Sequence, residues 1–346
     1  MVSTNTKAIL LLTSPLIIGR TRTPAEILSH GEYNKLAHAL VENNSEPGDL
    51  LGPGADELIK GLENVIESSR LTGLLGRGFL LSQAIQRWES RSIWVYSRAD
   101  IEYPQRLKAR LKDAAPALVF GCGDNTLLDR GGLAVVGSRN VDEKLIKYTE
   151  NVGSIAAGAD VTVISGGAKG IDRAAMFGAL QAGGCAAGVV ADSLERLALA
   201  ADSREYIMDN KLVLISPYDP AAGFDVGNAM QRNKIIYALA DAALVVNSDL
   251  KKGGTWAGAT EQLEKLHLTP VYVRADADRG SGLEALGQKG AVPWPNPETA
   301  EEFVEVFKVP AKLSGSEMPQ KQLQLTFLEQ PEKVAETQQL KYKYKD

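Results

Sequence analysis

The sequence has little of the chemistry that disulfide and metal sites need. Its 346 residues include two cysteines and three histidines, and Cys122 and Cys185 lie far apart without the short spacing of metal ligands. These features exclude a disulfide-built fold and the usual zinc arrangements. The cysteine usage is typical of a reducing compartment, so the sequence predicts a cytoplasmic protein with no metal and no cofactor.

Long hydrophobic runs and an excess of positive charge are also missing. No stretch approaches the roughly 18 apolar residues of a membrane span, so none is predicted. Met1 to Leu12 holds one lysine and a short apolar run, which predicts the first helix of a domain rather than a signal peptide. The net charge is −5. A polyanionic partner would therefore have to be held by a local basic patch.

What is present is an ordinary globular composition, 44% hydrophobic and 23% charged. We predict a small helical domain over residues 1–88, a larger domain over 89–310 and a disordered tail over 311–346. In the first region apolar positions recur at helical spacing, and Thr23-Pro24 predicts a helix start. The tail is rich in Gln, Lys and Glu and ends in alternating lysine and tyrosine, a composition that does not form a core.

The larger region alternates between short apolar runs and helical patterns. Strands are predicted at Leu133–Val136, Val161–Ile164, Ala186–Val190, Val213–Ile215, Ala243–Val246 and Pro270–Val273. Such alternation predicts an α/β fold with a Rossmann-like, doubly wound and mostly parallel sheet. Ligands of these sheets bind at the carboxyl ends of the strands.

One strand-end loop organises the sequence, Ser165-Gly-Gly-Ala-Lys-Gly-Ile-Asp172. A strand, a glycine loop and a helix in this order present backbone N–H groups and a helix N-terminus to an anion. The glycines Gly166, Gly167 and Gly170 allow close approach of a phosphate, and Lys169 adds a positive charge. Taken alone, such a loop is also compatible with a turn that binds nothing.

Other strand-end loops should converge on the same edge. Gly137-Ser138-Arg139 follows one strand, and the segments 231–234 and 247–260 flank another. The basic residues that these loops would gather are Arg139, Lys169, Arg173, Arg232 and Lys234. Such a group beside a glycine loop favours a phosphate site. We predict no catalytic residue, because no Ser-His-Asp order or carboxylate pair accompanies the loops; Glu261 is the one candidate acid.

Several motifs occur together in a defined order. They are Tyr103-Pro104-x-x-Leu107, Pro116-Ala-Leu-Val-Phe-Gly121, Val135-Val-Gly-Ser-Arg139, Ser165 to Asp172, Arg232-Asn-Lys-Ile-Ile236 and Gly290-Ala291. In this order the region from about Tyr103 to Pro295 resembles the DprA/Smf family of DNA-processing proteins. The resemblance implies a non-enzymatic, homodimeric protein that binds single-stranded DNA and loads the recombinase RecA in recombination or natural transformation.

The resemblance also implies the DNA-binding residues. The phosphate-binding arginine of the family corresponds to Arg139. Its glycine loop and its basic segment correspond to Ser165, Gly166, Lys169 and Gly170, and to Arg232, Asn233 and Lys234. The complete predicted set adds Gly137, Ser138, Gly167 and Arg173.

The sequence departs from the family pattern at several positions. Met176 stands where the family has histidine, and Ala229-Met230 stand where it has Phe-Pro, which removes a base-stacking aromatic. Phe224, upstream, is a candidate replacement. The C-terminal winged helix of many members is not evident in residues 311–346.

A second interpretation stays open. Lys252-Gly253-Gly254 stands where the family has Ser-Gly-Ser, which is closer to related nucleotide-processing enzymes. The protein would then be a nucleotide sensor or nucleotide hydrolase of the phosphoribohydrolase-like fold, with a mononucleotide in the same pocket and Glu261 as the acid. The acidic net charge favours this interpretation slightly, and the order of the motifs favours DNA binding more strongly.

Overall fold

The computed structural model describes residues 1–18, 26–275 and 280–308. The helices in these residues are α1 (Thr4–Thr13), α2 (His30–Glu42), α3 (Ala55–Gly61), α4 (Ser68–Leu75), α5 (Gly78–Glu89), α6 (Gln105–Leu111), α7 (Glu143–Gly158), α8 (Ile171–Gln181), α9 (Leu194–Ala198), α10 (Ala201–Met208), α11 (Val226–Gln231), α12 (Asn233–Leu239), α13 (Gly253–Glu261), α14 (Gly280–Gln288) and α15 (Ala300–Lys308). The strands are β1 (Trp94–Ser97), β2 (Leu118–Cys122), β3 (Leu133–Val136), β4 (Val163–Ser165), β5 (Ala186–Val189), β6 (Leu212–Ser216), β7 (Ala242–Val245), β8 (Val271–Val273) and β9 (Val292–Pro293). Within these described ranges no helix has the length and apolar character to cross a membrane.

The described strands form one nine-stranded sheet in the order β1-β2-β6-β5-β4-β3-β7-β8-β9. In this sheet order the seven neighbouring strands from β6 through β3 to β9 are parallel. At the other end, β1 pairs with β2 and β2 pairs with β6 in antiparallel orientation. This confirms the predicted α/β fold with a mostly parallel sheet. The order reverses at β3, since the chain adds β4 to β6 on one side and β7 to β9 on the other. Such a reversal opens a crevice at the carboxyl ends of β3 and β7, where ligands of doubly wound sheets bind.

The central strands are buried on both faces, which is why they read as continuous apolar runs in the sequence. In β3, Leu133 and Val135 contribute to one hydrophobic cluster, while Ala134 and Val136 contribute to the other. The helices α7 and α8 pack on the first face, and α6, α12 and α14 on the second. This sandwich holds the strand ends, and therefore the loops that follow them, in fixed positions.

The five N-terminal helices share the first of these clusters. Trp88 of α5 packs edge-on against Phe120 of β2, with ring centroids 5.0 Å apart. The chain from Met1 to Pro310 forms one compact unit; the division at residue 88 stays a prediction. The predicted helix start at Thr23-Pro24 and the predicted tail lie outside the described residues. The helix α2 begins at His30, where Ser29 and Glu32 form a reciprocal capping box.

Candidate nucleic-acid interface

The loops that follow β3 and β4 lie in direct contact. The backbone of Gly170 has φ +90°, and a Cβ there would lie 2.6 Å from the carbonyl oxygens of Ser138 and Arg139. A Cβ on Gly137 would likewise come within 2.6 Å of the Ile171 side chain. Only glycine fits at such distances. The two loops are thus packed together, which brings Arg139 and Lys169 to one edge of the sheet.

Arg232 lies under the glycine loop rather than on its surface. The residue is 6% exposed, and its Nη1 donates a hydrogen bond to the carbonyl oxygen of Val189 at 2.6 Å. A Cβ on Gly166 would lie 1.9 Å from the same Nη1, so the guanidinium is seated against this glycine. Its buried Nε has no hydrogen-bond partner among the described residues. Burial lowers the pKa of Arg232, and the charge of Asp172 opposes this shift.

Asp172 is the buried acid of the site. It lies in the first turn of α8, and the Gly137 N–H donates to its Oδ1 at 3.3 Å. Burial raises the pKa of Asp172 to about 6, while the positive charge of Arg232 and hydrogen bonds from backbone N–H groups act in the opposite direction. Asp172 therefore serves as a counter-charge to Arg232 and as an acceptor that joins the two loops.

The outer side of the site carries an aromatic ring beside a cation. The guanidinium of Arg139 lies 5.3 Å from the centroid of the Phe224 ring, and Phe224 is 55% exposed. Phe224 belongs to the segment between β6 and α11. The Tyr218 hydroxyl of that segment donates to the carbonyl oxygen of Asn228 in α11 at 3.1 Å. We refer to the exposed side chains of Arg139, Lys169 and Phe224 as the outer surface.

Several predicted site residues are engaged elsewhere. The hydroxyl of Ser165 is buried and donates to the Val135 carbonyl oxygen at 2.6 Å, inside the sheet. Arg173 forms an ion pair with Asp202 of α10 and lies 5.0 Å from the centroid of the Phe177 ring. Both side chains therefore already have partners within the protein.

The segment 232–234 is buried at Arg232 and half-buried at Asn233 and Lys234. The Asn233 side chain donates to the Gly254 carbonyl oxygen at 3.1 Å, which ties α12 to the start of α13. Burial lowers the pKa of Lys234, and the negative charge of Glu261 opposes this effect. Glu261 thus has a cationic neighbour on α12. The predicted basic segment therefore builds the floor of the site rather than its surface.

A hydrogen bond crosses the crevice between β3 and β7, where the strand order reverses. The Thr255 hydroxyl of α13 donates to the Gly137 carbonyl oxygen at 2.9 Å, which joins the loop after β3 to the helix after β7. Met176, in the position of the family's histidine, is 4% exposed and packs against Gly188 of β5. It serves the core and offers no polar group. Among the described residues no group of three or more His, Cys, Asp or Glu side chains could hold a metal ion.

Sequence reasoning did not assign a role to two residues beside Arg232. Burial lowers the pKa of Arg232, and the charge of Asp192, after β5, opposes this shift. Tyr218, after β6, is half-buried, and burial raises the pKa of its hydroxyl to about 12. Their only signal in the sequence is that each follows a predicted strand.

The fold defines a class: a Rossmann-like α/β protein with a mostly parallel sheet, whose glycine loops and exposed Arg139 and Lys169 lie at the carboxyl ends of the central strands. The sequence model of the family described as DNA recombination-mediator protein A matches residues 94–307. Since this match covers more than half of the 346 residues, the chain belongs to the DNA recombination-mediator protein A family, DprA.

Individual relatives agree with this assignment. The chain is 34% identical over 182 residues to DNA processing protein DprA of Streptococcus pneumoniae, a match that covers 50% of this chain and 59% of that protein. It is 27% identical over 212 residues to DprA of Bacillus subtilis, covering 59% of this chain and 69% of that protein. The match thus spans less than two thirds of the pneumococcal protein.

Solved structures of the family share the fold. The X-ray structure of S. pneumoniae DprA aligns with a TM-score of 0.53 and 20% identity, covering 81% of this chain and 98% of that one. DprA of Helicobacter pylori, described for its single-stranded DNA binding mode, aligns with a TM-score of 0.50 and 21% identity, covering 62% of this chain and 95% of that one. At these identities the likeness shows the fold alone.

Proposed function

We propose that the protein binds single-stranded DNA without sequence readout through its outer surface. We also propose that it acts as a homodimer, without catalysis, and transfers the strand to RecA in recombination or natural transformation. The observation that carries the binding proposal is the exposed pair of Arg139 and Phe224, which lies against the glycine loops of β3 and β4.

The outer surface offers the two kinds of contact that an unpaired strand requires. Arg139 and Lys169 are exposed, and neither forms an ion pair within the described part of the chain. They are therefore available for backbone phosphates. Phe224 offers a ring face to an unstacked base, a contact worth about 1–3 kcal/mol per base. A cation and a ring placed side by side match the repeating phosphate and base of a single strand.

The packing of Arg232 against Gly166 supports strand binding over the alternative of a mononucleotide sensor or hydrolase. A mononucleotide in the same pocket would need space for its phosphate next to Gly166. The Arg232 guanidinium occupies that space and is bonded to Val189. Glu261, the acid of the alternative, has the cationic Lys234 as its neighbour.

The first experiment measures the affinity for a fluorescent oligo-dT strand at several salt concentrations. Arg139→Ala and Lys169→Ala should each weaken binding about five- to tenfold and make the slope of log K against log salt shallower by about 0.7. The matched control is Lys211→Ala, since Lys211 precedes β6 and lies at the opposite edge of the sheet. Unchanged affinity in both loop variants would refute the assignment of the site.

The second experiment separates base contacts from phosphate contacts. Phe224→Ala should weaken oligo-dT binding by about 1–3 kcal/mol while leaving the salt slope unchanged, because a ring contributes no counterion release. Phe79→Ala is the control, since Phe79 of α5 is 75% exposed but belongs to the N-terminal helices. A thermal-shift series with mononucleotides tests the alternative. That alternative predicts that a nucleotide raises the midpoint of thermal unfolding and that the oligonucleotide does not.

Transfer to RecA is tested in a coupled reaction. On a strand already covered by single-strand-binding protein, the DNA-dependent ATPase of RecA should start sooner with the wild-type protein than with Arg139→Ala. Equal lag times for wild type, variant and a reaction without the protein would contradict the RecA proposal and leave the binding proposal standing.

A further inference from the structure

The segment that carries Phe224 is attached to the N-terminal part of the chain by one buried carboxylate. Asp219 is 3% exposed. Its Oδ2 accepts a hydrogen bond from the Ile17 N–H at 3.0 Å and lies 3.5 Å from the Ser14 hydroxyl, and its Oδ1 accepts from the Ala221 N–H at 3.0 Å. One side chain thus joins the residues after α1 to the residues after β6.

The rest of this segment is held by backbone hydrogen bonds from α9 and from Ser193, the residue before α9. The N–H groups of Ser193 and Glu195 donate to the carbonyl oxygens of Ala222 and Pro220, at 3.0 and 3.1 Å. Between Ala222 and the N-cap Asp225 of α11, Gly223 and Phe224 are exposed. The position of the Phe224 ring therefore depends on how firmly residues 219–222 are fixed.

From these contacts we infer that Asp219 is a positioning residue for DNA binding, through which the N-terminal helices hold the Phe224 ring beside Arg139. This inference rests on the proposed function of the outer surface. It gives the N-terminal region a role in DNA binding without any contact with DNA. Its effect on affinity passes through the aromatic ring and not through the phosphate contacts.

The substitution Asp219→Asn tests the inference with little change of shape. Both carboxylate oxygens accept N–H groups, so either orientation of the amide places its NH₂ against a backbone donor. Asp124→Asn is the matched control. Asp124 also accepts a backbone N–H, that of Thr126 at 2.9 Å, but it follows β2 at the opposite edge of the sheet.

The measurement is a double-mutant cycle on oligo-dT affinity. Asp219→Asn should weaken binding about fivefold in the wild-type background, with an unchanged salt slope, and less than about twofold in the Phe224→Ala background. Asp124→Asn should change neither value. A purely structural role for Asp219 would lower the affinity by the same factor in both backgrounds, and that result would overturn the inference.

Other outcomes separate the inference from the proposal beneath it. If Phe224→Ala weakens binding and Asp219→Asn does not, the inference fails and the proposed function stands. If neither Phe224→Ala nor Arg139→Ala changes the affinity, the proposed site itself fails. Should Asp219→Asn not fold, Ser14→Ala removes only the most distant donor to the carboxylate. Ser14→Ala should lower the oligo-dT affinity about twofold, and this loss should disappear in the Phe224→Ala background. No loss of affinity, or an equal loss in the two backgrounds, counts against the inference.

Discussion

The substitution Gly166→Ala tests whether the Arg232 guanidinium packs against Gly166. The φ of Gly166 is not in the left-handed region, so an alanine fits its backbone. The added Cβ would lie 1.9 Å from Nη1 and 2.6 Å from Cζ of Arg232. The guanidinium would have to move, and it is 6% exposed and bonded to the Val189 carbonyl oxygen at 2.6 Å.

The expected loss of stability follows from these contacts. Overpacking a filled interior costs about 1–3 kcal/mol. Loss of the hydrogen bond from a charged donor adds about 1.5–3 kcal/mol if the displaced group finds no new acceptor. Because part of the displacement can be shared by neighbouring side chains, we expect a total of about 2–4 kcal/mol in the free energy of unfolding.

Urea denaturation of four proteins measures this loss: wild type, Gly166→Ala, Arg232→Ala and the double variant. The Gly166→Ala change should lower stability in the wild-type background and have almost no effect where the guanidinium is absent. Gly223→Ala is the control, since a Cβ at Gly223 meets nothing within 4 Å. An equal loss in both backgrounds would refute the reasoning that Arg232 and Gly166 are in contact.

Two further predictions concern buried carboxylates. Burial raises the pKa of Asp172 from 3.8 to about 6. The native state therefore binds more protons than the unfolded chain between about pH 4 and 6. As pH falls through this window, wild type should gain about 3 kcal/mol of stability relative to Asp172→Asn. Urea unfolding of both proteins at several pH values measures this gain. If the difference between their unfolding free energies does not change with pH, the prediction is wrong. Glu195 accepts two hydrogen bonds from Arg87, of 2.6 and 2.7 Å. Glu195→Gln should lower the free energy of unfolding by about 1–3 kcal/mol, which is less than the loss expected for a fully buried pair because the Arg87 side chain is 30% exposed. An unchanged denaturation midpoint would refute this prediction.

The sequence allowed the parallel part of the sheet to be predicted because its strands are buried on both faces. Each of the six strands predicted from residue 133 onward lies within two residues of an observed one. The strand β9 was not predicted, since two residues show no periodicity, and α14 begins with Gly-Ser-Gly, a pattern typical of a loop. Strand order was not predicted either, because it depends on contacts between distant segments.

For the candidate site, the sequence predicts which edge of the sheet the loops share better than it predicts the direction of their side chains. That Arg139 and Lys169 share one edge follows from parallel strand topology alone. Whether an arginine faces solvent or the interior does not follow from topology, because it depends on contacts with segments that are distant in the sequence. Arg232 is buried since Gly166 leaves room for it, and Arg173 turns toward Asp202. Asp219 belongs to no motif, and its role depends on contacts with residues about 200 positions away.

The acidic net charge and a DNA-binding function are compatible because charge acts locally. At physiological ionic strength the Debye length is about 8 Å, so remote acids are screened from a bound phosphate. The buried Asp172 and the half-buried Asp192 compensate the interior Arg232, whereas Arg139 and Lys169 form no ion pair among the residues that the structure describes. Two such phosphate contacts correspond to a salt slope of only about −1.4. A slope steeper than about −4 would require several more cations, and it would mean that basic residues beyond the outer surface hold the strand.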